Sequence, residues 1–208
     1  MDEAEREWWR RLPRVLTSPR EVFAAVAEPD EDDVRARQEP VLLIVLAAGT
    51  AGVLMTPTWG TLMDNPERDS LVVAVLTFLA GGMYGAFAYF FVGGALYLGA
   101  RGMGAEGRFR LARHVLAFAS VPVALSLPIV LPVELLAFGG DVFRSGGSDE
   151  GALGGLVVAL GLAFVAWTVA LLLIGVRTVY GLGWARSAGT LGLLALFLAA
   201  FVALPSAL

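Results

Sequence analysis

The sequence predicts an all-α, polytopic membrane protein with five transmembrane helices and an N-terminal amphipathic segment at the membrane interface. Three observations carry this. The 208 residues are 57% apolar and only 16% charged, with a mean hydropathy of +0.73, whereas a soluble domain is about 45–50% apolar and about 25% charged. The charges gather in short connectors between long stretches almost free of them. Those stretches have the roughly 20 residues that one helical crossing of the hydrocarbon requires.

Taken between charged connectors, the spans run from Val41 to Trp59, Leu71 to Leu98, Leu111 to Phe138, Ala152 to Val176 and Ala188 to Leu204. The chain thus divides into an interfacial segment, residues 1–40, and a membrane domain, residues 41–208. All fifteen basic residues are arginine, and basic residues mark the cytoplasmic connectors. Thirteen of them fall on the N-terminal segment and on every second connector after it, and two on the other connectors. The expectation is a cell-membrane protein, inner or plasma, with its N-terminus cytoplasmic and its C-terminus outside. MDEAEREWWRR lacks the apolar core and cleavage site of a signal peptide, so the first span should persist in the mature chain. Trp59 and Trp184 fall at span ends, where indole rings favour the headgroup level; Trp167, in mid-span, reads as a packing residue.

In EREWWRRLPRVL, the residues Trp8, Trp9, Leu12, Val15 and Leu16 share one side of a helical wheel. Arg6, Arg10, Arg11 and Arg14 share the other. Tryptophan opposite arginine is the pattern of a helix lying in the interface, with Pro13 expected to kink or restart it. Next, Ser18 can serve as N-cap and Pro19 as first helical residue, with Glu21 completing a capping box. Val22, Phe23 and Val26 then form an apolar face, and an acidic breaker, EPDEDD, follows. These short helices are read as membrane anchors; the competing reading is a docking surface for a cytosolic protein, made of Trp8, Trp9, Arg10, Arg11, Arg14, Ser18, Pro19 and Phe23.

Inside the membrane, Gly81 with Gly85, Ala48 with Gly52 and Gly151 with Gly155 repeat a small-xxx-small spacing. Small residues one turn apart let helix backbones approach closely. Intramolecular packing is the expected use, and oligomers through these faces are the other.

The sequence offers little chemistry. Without cysteine, disulfides and thiolate metal sites are excluded. No HExxH or GxSxG motif is present, and no basic patch has the form of a nucleic-acid footprint. No enzyme activity, cofactor or metal is expected, and GARGMGAEGRF reads as a flexible connector. Ionisable groups within spans are the default functional candidates in a membrane protein. Only His114 and Glu134 qualify, and both are expected to reach the interface at opposite ends of the third span. That span, HVLAFASVPVALSLPIVLPVELL, holds Pro122, Pro128 and Pro132. The spacing of the last two predicts a bend in its outer half, with Ser120 and Ser126 satisfying the freed carbonyls.

Three stretches together carry a resemblance: SPREVF, GRFRLARHVLAFASVP and TVALLLIGVRTVYGLGWARSAG. They resemble the Yip domain family of five-span membrane proteins, bacterial type. Ser18, Pro19 and Phe23 match its Ser-Pro-x-x-x-Phe element, and Phe118 with Pro122 its aromatic-x-x-x-Pro element. Arg177, Gly181 and Arg186 match a late Arg-x-x-x-Gly-x-x-x-x-Arg element, with Ser187 in place of a small alanine. The Asp-Leu-Tyr-Gly-Pro element of eukaryotic members is missing, so their link to small GTPases is not carried over. The resemblance implies the five-span fold, a cytoplasmic N-terminus and a non-catalytic adaptor or membrane-organising role with a membrane or cytosolic protein partner. The alternative is a transporter or channel component, with the proline-broken third span lining a path and Glu134 and His114 as its polar groups.

Overall fold

A computed structural model describes residues 3–27, 35–56, 64, 69–139 and 151–203. The acidic breaker, Trp59, Arg68, Arg144 and Leu204 lie outside the described residues. Among the described residues, eight helices follow in chain order: α1 Glu3–Thr17, α2 Pro19–Ala27, α3 Gln38–Leu54, α4 Ser70–Gly102, α5 Phe109–Ala119, α6 Val121–Phe138, α7 Ala152–Tyr180 and α8 Trp184–Ala203. The described residues contain no strand.

Among the described residues, four helical stretches are long and apolar enough to cross a membrane: Leu71–Gly102, Phe109–Phe138, Ala152–Tyr180 and Trp184–Phe201. The fifth, α3, is apolar but only 17 residues long, roughly 25 Å at ~1.5 Å per residue. The α5–α6 pair is the most enclosed of the four. Some 44% of its apolar centre is buried, against 22% or less in the others. α4 packs against α3, α5 and α8, while α7 packs against α2, α5 and α6.

The closest backbone approach is between α3 and α4. A Cβ on Gly49 would fall onto the Gly81 carbonyl oxygen, and one on Gly85 onto the Val45 carbonyl oxygen. The Gly81–Gly85 pair therefore packs intramolecularly, as its spacing predicts. Its partner surface is Val45, Gly49 and Thr50, one position off the predicted Ala48–Gly52 pair. Gly151 and Gly155 have open space around them, so that pair packs on no described residue.

Helix ends follow local chemistry. α4 continues to Gly102, four residues past its expected end. Gly104 (φ +84°) then turns the chain, with Ala105 N–H donating to the Ala100 carbonyl and Gly104 N–H to Arg101. This is a Schellman cap, so the glycine-rich connector is a defined turn rather than a flexible link. Gly181 (φ +63°) ends α7 in the left-handed region.

The third span is interrupted elsewhere than its sequence spacing predicts. The chain breaks at Ser120, between α5 and α6, ahead of the buried Pro122. α6 then runs unbroken through Pro128 and Pro132, both of which face outward. A ring on the outer surface of a helix frees a carbonyl without displacing a packed neighbour. The serine hydroxyls also bond elsewhere. Ser120 Oγ donates to the Leu116 carbonyl and Ser126 Oγ to that of Val123, rather than to Phe118 and Ala124, whose partners Pro122 and Pro128 remove. α1 likewise passes through Pro13 without a break, again with the proline exposed. Trp167, 43% exposed, lies on the outer surface and is not a packing residue.

Candidate functional site

One end of the bundle gathers α1, α2, the Met103–Arg108 turn and the Gly181–Gly183 turn. The contacts are direct: Gly107 lies against the Tyr180 ring, Gly189 against Met103 and Gly99 against the Thr190 carbonyl. Six of the fifteen arginines sit on these segments, and Arg37, Arg101, Arg110, Arg113, Arg177 and Arg186 sit on or next to the helix ends that adjoin them.

The apolar face of α1 and α2 is turned into the protein. Trp8, Val15, Val22, Phe23 and Val26 are buried in the main core with Val115, Phe118 and Val176. The Trp8 ring meets that of Phe118 at 5.5 Å and 42°. Phe23 rests on Gly175, where a Cβ would come within 2.9 Å of its ring. The amphipathic reading identifies the right face, but its cover is the helical bundle and not lipid. The physical reason is area: Trp8 and Phe23 find rings and a glycine notch that enclose them fully, which a headgroup layer cannot do. Trp9, Leu12 and Leu16 are half-buried at the margin.

Arg37 locks this arrangement. It is fully buried, its Nη1 donates to the Val26 carbonyl at 3.0 Å, and its guanidinium lies 5.4 Å from the Trp8 ring. It therefore joins the end of α2, the face of α1 and the start of α3. Arg11 covers the Trp8 ring at 4.4 Å and pairs with Glu7, as does Arg14. Sequence reasoning missed Arg37, because an arginine before an apolar span reads as an ordinary flank. The outer side of α1–α2 presents Arg6, Arg10, Arg14, Arg20 and Glu21, all exposed.

The boundary at Ser18 is as predicted. Its N–H donates to the Arg14 carbonyl, and its carbonyl accepts from Val22 N–H. The backbone makes this junction, and Pro19 opens α2.

The remaining predicted residues fall into separate places. Phe118 and Pro122 are buried between α5 and α6, Phe118 under Trp8. Arg177 spans the α7–α8 turn, its guanidinium 4.5 Å from the Trp184 ring, with Gly181 supplying the left-handed residue between them. Arg186 is exposed, and its carbonyl accepts from Thr190 Oγ1. His114 is only 5% exposed and so does not reach the interface as expected, and its Nδ1 has no hydrogen-bond partner. Glu134 is half-buried on α6, about 30 Å away at ~1.5 Å per helical residue, so the two form no common site. Among the described residues no group of three His, Cys, Asp or Glu could hold a metal ion.

The first and last resemblance elements therefore meet physically: Phe23 of the Ser-Pro-x-x-x-Phe stretch rests on Gly175, two residues before Arg177. The middle element adds Phe118 beneath Trp8. No curated protein and no solved structure matches the chain. A family profile, that of the Yip1 domain, matches residues 14–204, and with nearly the whole sequence covered, this membrane protein belongs to the Yip1 domain family.

Proposed function

We infer that this protein is a non-catalytic, five-span membrane organiser whose arginine-rich end is a cytoplasmic docking platform. One observation carries the reading. α1 and α2 are fastened to the bundle through Trp8, Phe23 and Arg37, leaving an exposed charged face at the end where arginines lie on or flank both turns. A segment serving only as an anchor would direct its tryptophan face to lipid. Here that face is used to hold the platform rigidly, which lowers the ordering cost of binding a partner.

The same arrangement supports a topology. The N-terminal helices and both turns lie at one end, as alternate crossings starting with α3 require. A helix of 17 residues is within the shorter limit for a crossing, about 17–25 residues. The concentration of arginine at that end makes it the cytoplasmic side.

The chain has no cysteine, so single-cysteine variants report sidedness cleanly. In intact cells, cysteine at Arg20 or Glu106 should resist an impermeant maleimide, while cysteine at Asp64 should react. Labelling of Arg20 and Asp64 alike would overturn the topology. The platform itself is tested by reversing charge at Arg10, Arg14 and Arg20 together. In-cell cross-linking should lose its specific adducts while membrane insertion and thermal stability stay at wild-type levels. Unchanged adducts would remove the docking role.

A further inference from the structure

The start of the Phe109–Phe138 span carries a feature that the platform does not use. Arg113 lies one turn into α5, its stem against the backbone of Gly93 on α4. Its guanidinium sits 4.7 Å from the Phe90 and Phe109 rings and 5.1 Å from that of Tyr89. Phe90 is 55% exposed and Phe109 37% exposed, so the cage opens on the outer, lipid-facing surface. Beside it Arg101 donates to the Tyr97 hydroxyl at 3.2 Å, and the Tyr97 and Phe109 rings meet edge to face at 6.0 Å.

A guanidinium held at the lipid-facing margin of a span calls for an anion at headgroup depth. Among the described residues no carboxylate pairs with Arg101, Arg110 or Arg113. Glu106, the one acidic residue of this turn, points outward. In Arg110 and Arg113 the enclosure reaches Nε, which is buried and without a hydrogen-bond partner. The ring faces fix the plane of the Arg113 guanidinium, and a fixed guanidinium edge suits the oxygens of a phosphate. The flanking apolar rings suit acyl chains.

We propose that this cleft between α4 and α5 binds the headgroup of an anionic glycerophospholipid, with Arg113 on the phosphate and Arg101 and Arg110 supplying the charge that selects a net-negative headgroup. The ligand lies in the membrane plane, so the site operates whether or not the α1–α2 face docks a protein. It shares no residue with the charge-reversal test of that face.

Native mass spectrometry of protein released from mixed phosphatidylcholine–phosphatidylglycerol nanodiscs tests the proposal. The wild-type protein should retain phosphatidylglycerol about ten-fold over its bulk share, the effect of ~1.4 kcal/mol. Arg113→Gln should fall to the bulk ratio, and Arg14→Gln on α1 should keep the enrichment. If Arg113→Gln does not fold, Arg101→Gln combined with Arg110→Gln leaves the cage intact and should still abolish the selectivity. Enrichment that survives both variants would overturn the site. Excess inorganic phosphate should not displace the lipid; displacement would assign the arginines to a soluble anion and overturn the lipid reading.

Discussion

In the last ten residues of α7, Leu171, Leu172, Gly175 and Val176 are buried, while from Ala152 to Ala170 only Gly154 is. α4 shows the same contrast in the same chain direction. From Leu71 to Ala80 only Val73 and Thr77 are buried, whereas Gly93, Ala95, Leu96, Gly99 and Ala100 are buried towards its end. Since α4 and α7 both run towards the arginine-rich end, both differences belong to the ends of the bundle. The arginine-rich end is packed by protein, with α1–α2 seated on it. At the opposite end α4 and α7 expose Leu, Val and Phe side chains. In water that exposure would be prohibitive, but acyl chains are as apolar as leucine, and helix contact there gains nothing from hydrophobic burial. Rigidity therefore has to come from shape, and shape is concentrated where glycine notches and enclosed rings occur.

The contrast breaks most severely at the α3–α4 contact. Gly85→Leu sets a side chain on the Val45 carbonyl, and a backbone oxygen within a helix cannot step aside. We expect a loss of about 3 kcal/mol or more, at the upper end of overpacking costs, seen as collapse of the folded peak on size exclusion in detergent. A melting temperature unchanged from wild type would show that α3 and α4 do not meet there.

Trp8→Ala comes next. Removing a fully enclosed ring costs roughly 3–5 kcal/mol, and it takes with it the contacts of Phe118, Arg11 and Arg37. Trp167→Ala, on the outer surface of the α7 region that exposes most of its residues, should stay within about 0.5 kcal/mol. Parallel thermal melts in the same detergent compare the two. Equal losses would mean that α1 lies on the membrane rather than on the bundle.

These two tryptophans also mark how far the residues alone could be read. Helix existence and span borders were legible because charge is excluded from long apolar stretches: α7 begins at Ala152 as expected and ends four residues beyond Val176. The apolar stripe of α1 was legible too, but periodicity identifies a face and says nothing of what covers it. The same limit applies to glycine. Gly81–Gly85 and Gly151–Gly155 have identical spacing, yet only the first meets a neighbour, since the outcome depends on the facing helix. Of three prolines in one span, the break falls at the one that is buried. Arg37 and the cage of Arg113 were illegible for a related reason: the first is assembled from three helices and the second from two, and no local pattern records that.

Gly181→Ala should have a moderate effect. Nothing lies within 4 Å of an added Cβ there, so the cost is the backbone strain of a left-handed residue, about 1–2 kcal/mol. Because Arg177 and Trp184 clamp this turn from both sides, the chain cannot escape by relaxing φ. A melt lowered by a few degrees with unchanged membrane insertion is the expected result; no change would mean that the turn is not held.

The smallest effect belongs to Gly155→Leu at the open end. No atom of the described residues lies within 4 Å of an added Cβ at this position, so the leucine projects into acyl chains and folding should shift by no more than about 0.5 kcal/mol. That near-silence sharpens the comparison, because the identical substitution at Gly85 is the most damaging one. It also separates lipid from a second copy of the chain as the cover of α7. If lipid alone lies there, sedimentation in detergent gives the same mass for Gly155→Leu and wild type. If a second copy packs its backbone against the Gly151–Gly155 notch, the bulky side chain dissociates it while the monomer melt stays in place. The glycine pair would then be an intermolecular contact at the end of the bundle where the chain makes so few of its own.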